Sequence, residues 1–594
     1  MKPYYDVVIM GGGPGGSTLA ALLMKQGGLS VAVMEKEHFP REHIGESFAH
    51  PLIPVLEESG ALDKVLASDC WVKKFGGIFQ WRGEDPHVAY FDHVNTVRDG
   101  VHRWAMHVNR SEFDKILLDH AADVGAEVFE GASVTKCELL PDGTGREVTL
   151  KDGRTVRAGW FVDASGRRNS IVTNKKRDWL SGYRNIAIWQ HYLGGKTTQS
   201  LPGDWNIFRD KDISPIGCFA FRDGWAWYIP VPKVIDGERV VTHSIGIVTD
   251  PAILKRPDCD FTDPELFLRT VKEVPKLREL IQDVRAVDPD RMLTATNYSM
   301  INDRFANLDE RWVLLGDASY FVDPLFSSGV AFATNQAVAT ATLLGQTASG
   351  DVPEQDVRGM WRDYDSEWHG MAATFALSID QWYYAIGSDN PDSVYWNSRG
   401  KAGSLGLTTD QTFHALLNTA FTPDLLQVLS DGEGVDGLDI EGPFMTAYAE
   451  ANSLNLGPDA KVRLAAGVTV TSGLGLDVPG FKAAVPPIPE LMSEEEQKAA
   501  ATYWSDPVRY ADITPSSLGR TLPCHRFFFQ HDPDGPQVRG IDTWDGAAEI
   551  AKRLNNGPVG WQELIGSLDN AGQRFVRRLL HAGMLDLGGA GVAA

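Results

Sequence analysis

The sequence predicts an α/β fold, with a Rossmann-like, doubly wound sheet at its N-terminal end and a mostly helical region toward the C-terminus. Three observations predict it. The chain opens on an apolar strand, a glycine turn and a helix; two later apolar strands each end in a small-residue turn that carries an acid; and apolar residues between Gly546 and Leu587 recur at near-helical spacing.

The opening comes first. Tyr5 to Met10 reads as a short buried strand, Gly11-Gly12-Gly13-Pro14-Gly15-Gly16 as a tight turn and Ser17 to Leu23 as the start of a helix. Gly11 permits the turn, Gly13 lets the backbone approach a pyrophosphate, and Gly16 lets helix and strand pack closely, leaving N–H groups aimed at the phosphates. A second strand, Ser30 to Met34, ends at Glu35. That is about twenty residues on, where an acid can take ribose hydroxyls. A GxGxxG run alone fits a structural glycine turn equally well; the strand before it, the helix after it and the acid at this offset make it a nucleotide site.

Two later segments extend the crevice. Trp160-Phe161-Val162 runs into Asp163-Ala164-Ser165-Gly166, and Trp312 to Leu315 runs into Gly316-Asp317-Ala318. In a doubly wound sheet such strand ends line the ligand site, where Asp317 can bind the ribityl chain of a flavin. Arg110, in Val108-Asn109-Arg110-Ser111-Glu112-Phe113-Asp114, is a candidate cofactor contact at a helix start. Ordinary turn and N-cap chemistry explains each of these segments taken singly. Trp225-Ala226-Trp227-Tyr228-Ile229-Pro230, if a strand, places Trp225, Trp227 and Ile229 on one face before Pro230 ends the ladder. Core packing accounts for two such indoles as readily as function does. Asp323-Pro324-Leu325-Phe326-Ser327-Ser328-Gly329-Val330 is a loop opening onto an apolar helix from Ala331 to Leu344. Backbone N–H groups of Ser327, Ser328 and Gly329 at that helix start form a ready anion site.

Taken with Phe39-Pro40-Arg41, Gly45-Glu46-Ser47 and the stretch Val72 to Trp81, these segments resemble the FAD-dependent monooxygenase superfamily. Within it they are similar to the flavin-dependent halogenases, most to the bacterial natural-product enzymes of the chloramphenicol type. The resemblance implies a monooxygenase fold over residues 1–385, a Rossmann-like FAD-binding domain interleaved with a substrate β-sheet. It implies FAD, used as FADH2, held by Gly11, Gly13, Gly16, Glu35, Arg41, Ser47, Arg110, Asp163, Asp317, Pro324 and Gly329. With O2 and chloride or bromide it implies formation of hypohalous acid, the halide resting on Ser327, Ser328 and Gly329. Trp225 and Trp227 become a barrier between substrate and flavin, and Lys74 the group that delivers the halogen.

An ammonium on a flexible stem can hydrogen-bond hypohalous acid, or form a haloamine once desolvation lowers its pKa. Lys73 is the internal control: adjacent strand residues face opposite ways, so one of the pair can meet solvent. The choice of Lys74 rests on the resemblance, and a solvated surface lysine is the plain alternative. Two positions depart from relatives. Phe326 stands where tryptophan halogenases carry a glutamate, which makes free tryptophan an unexpected substrate and phenols, pyrroles or activated acyl groups the expected ones. Asn297 stands where the chloramphenicol type can carry an aspartate, so no ester-linked flavin is expected there.

Composition fits a large enzyme. The chain has 594 residues, and 56 Lys plus Arg against 79 Asp plus Glu leave a net charge of −23. That balance argues against nucleic acid or an anionic membrane. An acidic carrier protein bearing the substrate would need a local basic patch, for which Arg167-Arg168 and Lys175-Lys176-Arg177 are the candidates. Five scattered cysteines without CxxC spacing suggest neither structural zinc nor disulfides. No long apolar run or signal peptide is read, and a cytoplasmic location is expected. Residues 386–485 are expected to be a helical cover over the active site, and residues 486–594, after Pro486-Pro487-Ile488-Pro489, a small helical, winged-helix-like module. The glycines at 473, 475 and 480 lack a convincing preceding strand, so no second dinucleotide site is expected and a separate NAD(P)H-dependent flavin reductase must supply FADH2. The rival enzyme reading is an FAD-dependent aromatic hydroxylase; the rival outside catalysis is a flavin-binding or carrier-docking protein.

Overall fold

The computed structural model describes residues 1–387, 392–399, 454–476 and 521–587, apart from 50, 82–85, 91–104, 168–169, 174–176, 180–183, 210, 298, 534, 536 and 542–545. The N-terminal sheet runs, in spatial order, Ala306–Asn307, Trp312–Leu314, Thr155–Asp163, Tyr4–Met10, Val31–Met34 and Glu127–Phe129. The last four pairings are parallel. Val7, Val8, Ile9, Val31, Ala32 and Val33 are buried on both faces, as strands covered by helices require. Met10 pairs with both Asp163 and Met34, and Asp163 pairs with Leu314. The carboxyl ends of four strands are therefore level, and Gly11, Glu35, Ala164 and Leu315 leave the sheet along one edge. The helices Pro14–Gln26 and Gly329–Ser349 pack against one another beside that edge.

The second sheet is mainly antiparallel: Arg285–Ala286, Asn185–Leu193, Glu238–Thr249, Gly224–Ile235, Ile216–Phe221, Gly76–Gln80 and His87–Tyr90, with Leu293–Asn297 also on the Asn185–Leu193 strand. Its long hairpin turns at Asp236 and Gly237, both at positive φ (54° and 81°), the geometry of a type I′ turn. Pro230 does not end the ladder. The strand continues to Ile235, with Pro230 opposite His243 and Pro232 opposite Val241. Beyond Tyr228 the Ile216–Phe221 strand no longer runs alongside, so the prolines sit where one edge is open and a missing N–H forfeits no bond to that neighbour. Next to this stretch packs a two-stranded ribbon of Trp71–Lys74 and Ala105–Val108.

A helix of 34 residues, Glu354–Gly387, is followed by a short one, Val394–Arg399. Toward its start it meets the C-terminal part of the chain: the Asp363 carboxylate is bound by Arg526 at 2.7 Å and Arg539 at 2.9 Å, and Arg539 also pairs with Glu367. The C-terminal part differs from the helical expectation. Val468–Leu476, Thr521–Phe529 and Gln537–Ile541 form an antiparallel sheet, and Lys461–Leu464 pairs with Val559–Gly560 and Leu585–Leu587. Helices Ala547–Asn555, Trp561–Gly566 and Asn570–His581 close over one core around Trp561, Phe575 and Leu579. Glycine at 473 and 475 hid a strand: Asp356 packs where a Gly473 side chain would stand, and Arg539 and Cys524 crowd Gly475. Because Lys461–Leu464 completes a sheet with strands after residue 558, the described residues join across the expected division at 485. Of the expected helical cover, Val394–Arg399 is a helix, and residues 400–453 and 477–485 lie outside the described residues.

Candidate active site

The level strand ends open into a cavity of 630 Å³. Its walls include Gly11, Gly13, Gly16, Glu35, Arg41, Ser47, Arg110, Asp317, Pro324, Ser327, Gly329, Trp225 and Trp227. Three of the residues expected at the site do not line it: Asp163, Ser328 and Lys74.

The glycines divide by function. Gly11 (φ +111°) cannot carry a side chain because its Cβ would strike the Ala164 carbonyl, and a Cβ on Gly16 would strike the Gly11 carbonyl. A Cβ on Gly13 would meet nothing nearer than the Arg41 guanidinium at 3.8 Å. Protein packing therefore does not require glycine at 13; room for a ligand against the backbone does, and a flavin dinucleotide's pyrophosphate fits that demand. Glu35 accepts from the N–H of Gly12 at 2.7 Å and of Glu37 at 2.8 Å, which fixes its carboxylate at the cavity wall. Arg110 is anchored within the protein: it binds Asp114 through Nε (2.8 Å) and Nη2 (2.9 Å) and the carbonyls of Ile44 and Gly45 through Nη1. It shapes the cavity by holding the Ile44–Gly45 turn. Asp163 is fully buried and accepts from Ser165 N–H and Ser170 Oγ, which organises the turn behind the cavity. Burial raises the Asp317 carboxyl, opposed by Arg167, Arg177 and Arg110. Arg177 donates to the Gly166 and Ala318 carbonyls and is buried, which removes it as a docking cation; Arg168, Lys175 and Lys176 lie outside the described residues.

At the apolar end stand Trp225, Trp227 and Ile229, on one strand face as the period of two requires. Each indole is held through a hydroxyl to a buried carboxylate. Trp225 Nε1 donates to Tyr383 OH (2.9 Å), which donates to Asp323 Oδ2 (3.3 Å). Trp227 Nε1 donates to Ser244 Oγ (3.1 Å), and Ser244 bonds the Glu46 carboxylate. Asp323 begins the turn before the helix Gly329–Ser349 and caps it through Leu325 N–H at 3.0 Å; Asn185 donates to its other oxygen at 2.6 Å. Burial raises the Asp323 carboxyl despite those bonds and the nearby Arg399. Burial also works to raise Glu46, but the His191 ring at 2.5 Å, with Lys233 and Ser244, holds it below the usual carboxylate range. Glu46 and Tyr383 lie far along the chain from the two indoles, and no spacing in the sequence signals that they serve them.

In the turn, Ser327 adopts the left-handed region (φ 63°), Ser328 is fully buried as the N-cap of the helix, and a Cβ on Gly329 would meet open space. The first N–H groups of that 21-residue helix lack intrahelical acceptors. Phe326 stacks on Phe79 with centroids 5.1 Å apart and meets the edge of Trp382 at 5.7 Å. Trp81 stacks on Trp382 and meets Trp225 and Trp396, so the ends of the long helix and its successor cover the tryptophan wall with aromatic rings.

Lys74 does not line the cavity. It is buried, whereas Lys73 is part-exposed. Its Nζ donates to the Phe48 carbonyl at 2.9 Å, and burial pushes its pKa down to about 7, with the Cys218 thiol acting weakly the other way. Cys218 is directly opposite Trp227 in the sheet. Among the described residues no helix is long and apolar enough to cross a membrane.

Comparison with known proteins agrees with this geometry. The tryptophan halogenase family model matches residues 6–101 and 92–405. A 1H-pyrrole-2-carbonyl-[peptidyl-carrier protein] chlorinase of Pseudomonas fluorescens is 33% identical over 371 residues, 59% of this chain and 76% of that protein. A tryptophan 2-halogenase of Chondromyces crocatus is 29% identical over 402 residues, covering 66% and 70%. Among solved structures, CmlS, a flavin-dependent halogenase, superposes with a TM-score of 0.61 at 22% identity over 99% of this chain and 96% of that one. The myxobacterial chondrochloren halogenase CndH gives 0.55 at 25% identity over 75% and 93%. A glycine turn cleared for a dinucleotide, two tethered indoles at the end of its cavity and a family match over most of the chain lead to one conclusion: this protein belongs to the tryptophan halogenase family and is a flavin-dependent halogenase.

Proposed function

We propose that this enzyme places chlorine or bromine on an electron-rich aromatic carbon or an activated acyl carbon of a natural-product precursor, and that the precursor is presented on a carrier protein. The observation that carries the reading is the placing of the indoles and the lysine: Trp225 and Trp227 line the cavity that fits FAD, and Lys74, buried and with its pKa pushed down to about 7, does not line it. Bound reduced FAD, with O2, supplies the oxidising equivalent that converts halide to hypohalous acid. The chain's residues do the rest. N–H groups at the start of Gly329–Ser349, with Ser327, hold the halide in the cavity. The indoles keep the acceptor away from the cofactor. Lys74, close to half protonated near neutral pH, hydrogen-bonds hypohalous acid and protonates the departing hydroxide.

Phe326, packed on Phe79 and Trp382, leaves no carboxylate at that turn position and favours an apolar ring or acyl group there. The chlorinase of Pseudomonas fluorescens acts, by its name, on a pyrrole held by a carrier protein, which supports a tethered acceptor here. We assign FADH2 supply to a separate NAD(P)H-dependent reductase. Mass spectrometry of aerobic reactions with FAD, a flavin reductase, NADH and chloride or bromide tests the reading on free and carrier-tethered phenols, pyrroles and β-ketoacyl groups. The expected result is a halogen isotope pattern that vanishes in Lys74→Ala. A product that gains only oxygen would make this chain a hydroxylase despite its family.

A further inference from the structure

We propose that His107 is a second catalytic residue, the base that accepts the proton from the carbon that takes the halogen. The inference rests on the delivery role given to Lys74 above. In the ribbon of Trp71–Lys74 and Ala105–Val108, Lys74 is opposite Ala105 and Val72 is opposite His107. Opposed residues share a face, as do residues two apart, so Lys74 and His107 are diagonal neighbours on one face, with backbones about 7–8 Å apart and long side chains within mutual reach. Both are buried, at 1% and 0% exposure.

Neither ring nitrogen of His107 has a hydrogen-bond partner among the described residues. A buried imidazole left this way is unfavourable, and in a native protein such a group calls for an explanation. Ser47 supplies a direction: it forms a backbone bridge with His107, its own Oγ is likewise unpartnered, and it lines the cofactor cavity. The His107 face thus runs from the cavity wall to Lys74. The carboxylate nearby, Glu46, is committed to His191 and Ser244. The other titratable groups facing His107 are Lys74 and His243, with the Cys218 thiol beyond Lys74. Burial, helped by the charge of Lys74, keeps the ring neutral, with a nitrogen lone pair free.

The step balances. The carbon–halogen bond forms as the oxygen–halogen bond of hypohalous acid breaks, and the departing hydroxide takes a proton from the Lys74 ammonium and leaves as water. The C–H bond breaks, its electron pair stays with carbon, and its proton goes to His107, from which it returns to Lys74. One lysine cannot act as acid toward oxygen and base toward carbon at the same moment; a second group separates the tasks.

The test uses the full chain with FAD, reductase, NADH and bromide. Methionine in the bulk captures escaped hypobromous acid as sulfoxide, and the acceptors are resorcinol, a pyrrole-2-carbonyl thioester and an acetoacetyl thioester. For His107→Ala we expect unchanged bromide-dependent oxidant, brominated acceptor down roughly a hundredfold with sulfoxide raised to match, and recovery on adding imidazole. His107→Gln, which refills the space without a base, should show the same loss and no recovery. A parent-like ratio of product to sulfoxide in both variants overturns the proposal, as does a parent that makes sulfoxide but brominates none of the three acceptors. A parent that makes neither product nor sulfoxide instead sinks the halogen-transfer reading itself.

Discussion

Replacing Lys74 by Met should make the protein more stable while removing halogen transfer. In the folded chain the Lys74 pKa falls from 10.5 to about 7 because burial penalises the ammonium. The folded state binds fewer protons than the unfolded state between those values, so the group's contribution to stability rises with pH across that window and is least favourable below it. A tenfold change in proton affinity is worth ~1.4 kcal/mol, so the unfavourable contribution relative to the fully neutral limit is about 4 kcal/mol at pH 7 and about 2 kcal/mol at pH 9. Met keeps the length and the apolar contacts and carries no charge to desolvate. Urea unfolding of parent and Lys74→Met at both pH values gives the comparison, because all other titrating groups are shared. The parent should gain about 2 kcal/mol more than the variant between pH 7 and pH 9. Equal pH dependence in the two proteins would refute the desolvated lysine, and with it the reason a lysine can work as an acid near neutrality at this place.

Four further outcomes follow from the geometry. Gly13→Ala should fold with parent stability yet bind FAD at least about tenfold more weakly by fluorescence titration, since only the ligand's space is taken; Gly16→Ala should unfold early instead, because its Cβ meets the Gly11 carbonyl. Tyr383→Phe removes the acceptor of the Trp225 indole and should lower stability by about 1–3 kcal/mol in urea, with FAD affinity unchanged. Asp363→Asn leaves Arg526 and Arg539 facing a neutral amide and should destabilise by about 3–5 kcal/mol in urea unfolding.

Local, consecutive signals were legible in the sequence. The turn at Gly11 to Gly16, Glu35 at the next strand end, the alternation of Trp225 and Trp227 and the opposite facing of Lys73 and Lys74 all depend on backbone periods of a few residues. Those periods are the same in any protein that forms the element. The same reasoning failed where composition misleads. Pro230 read as a strand end because its missing N–H counts only if a neighbour is there to receive it, and no convincing strand was read before Gly473 and Gly475, which lie within one because the packing that requires small residues comes from Asp356 and Arg539.

What only the tertiary structure decided are the meetings between distant residues. Tyr383 reaches Trp225 across 158 positions, His191 reaches Glu46 across 145, and Arg526 reaches Asp363 across 163. A hydrogen bond depends on distance and angle in space, and sequence separation carries neither. The sequence by itself determined that a nucleotide turn, a tryptophan strand and a lysine strand exist; the fold determined that burial lowers the lysine's pKa toward neutrality, that Arg110 is anchored at the cavity wall and Asp163 behind it, and that a buried histidine stands on the lysine's face with no partner among the described residues. Desolvation and partnership belong to the enclosed volume, which no single segment forms.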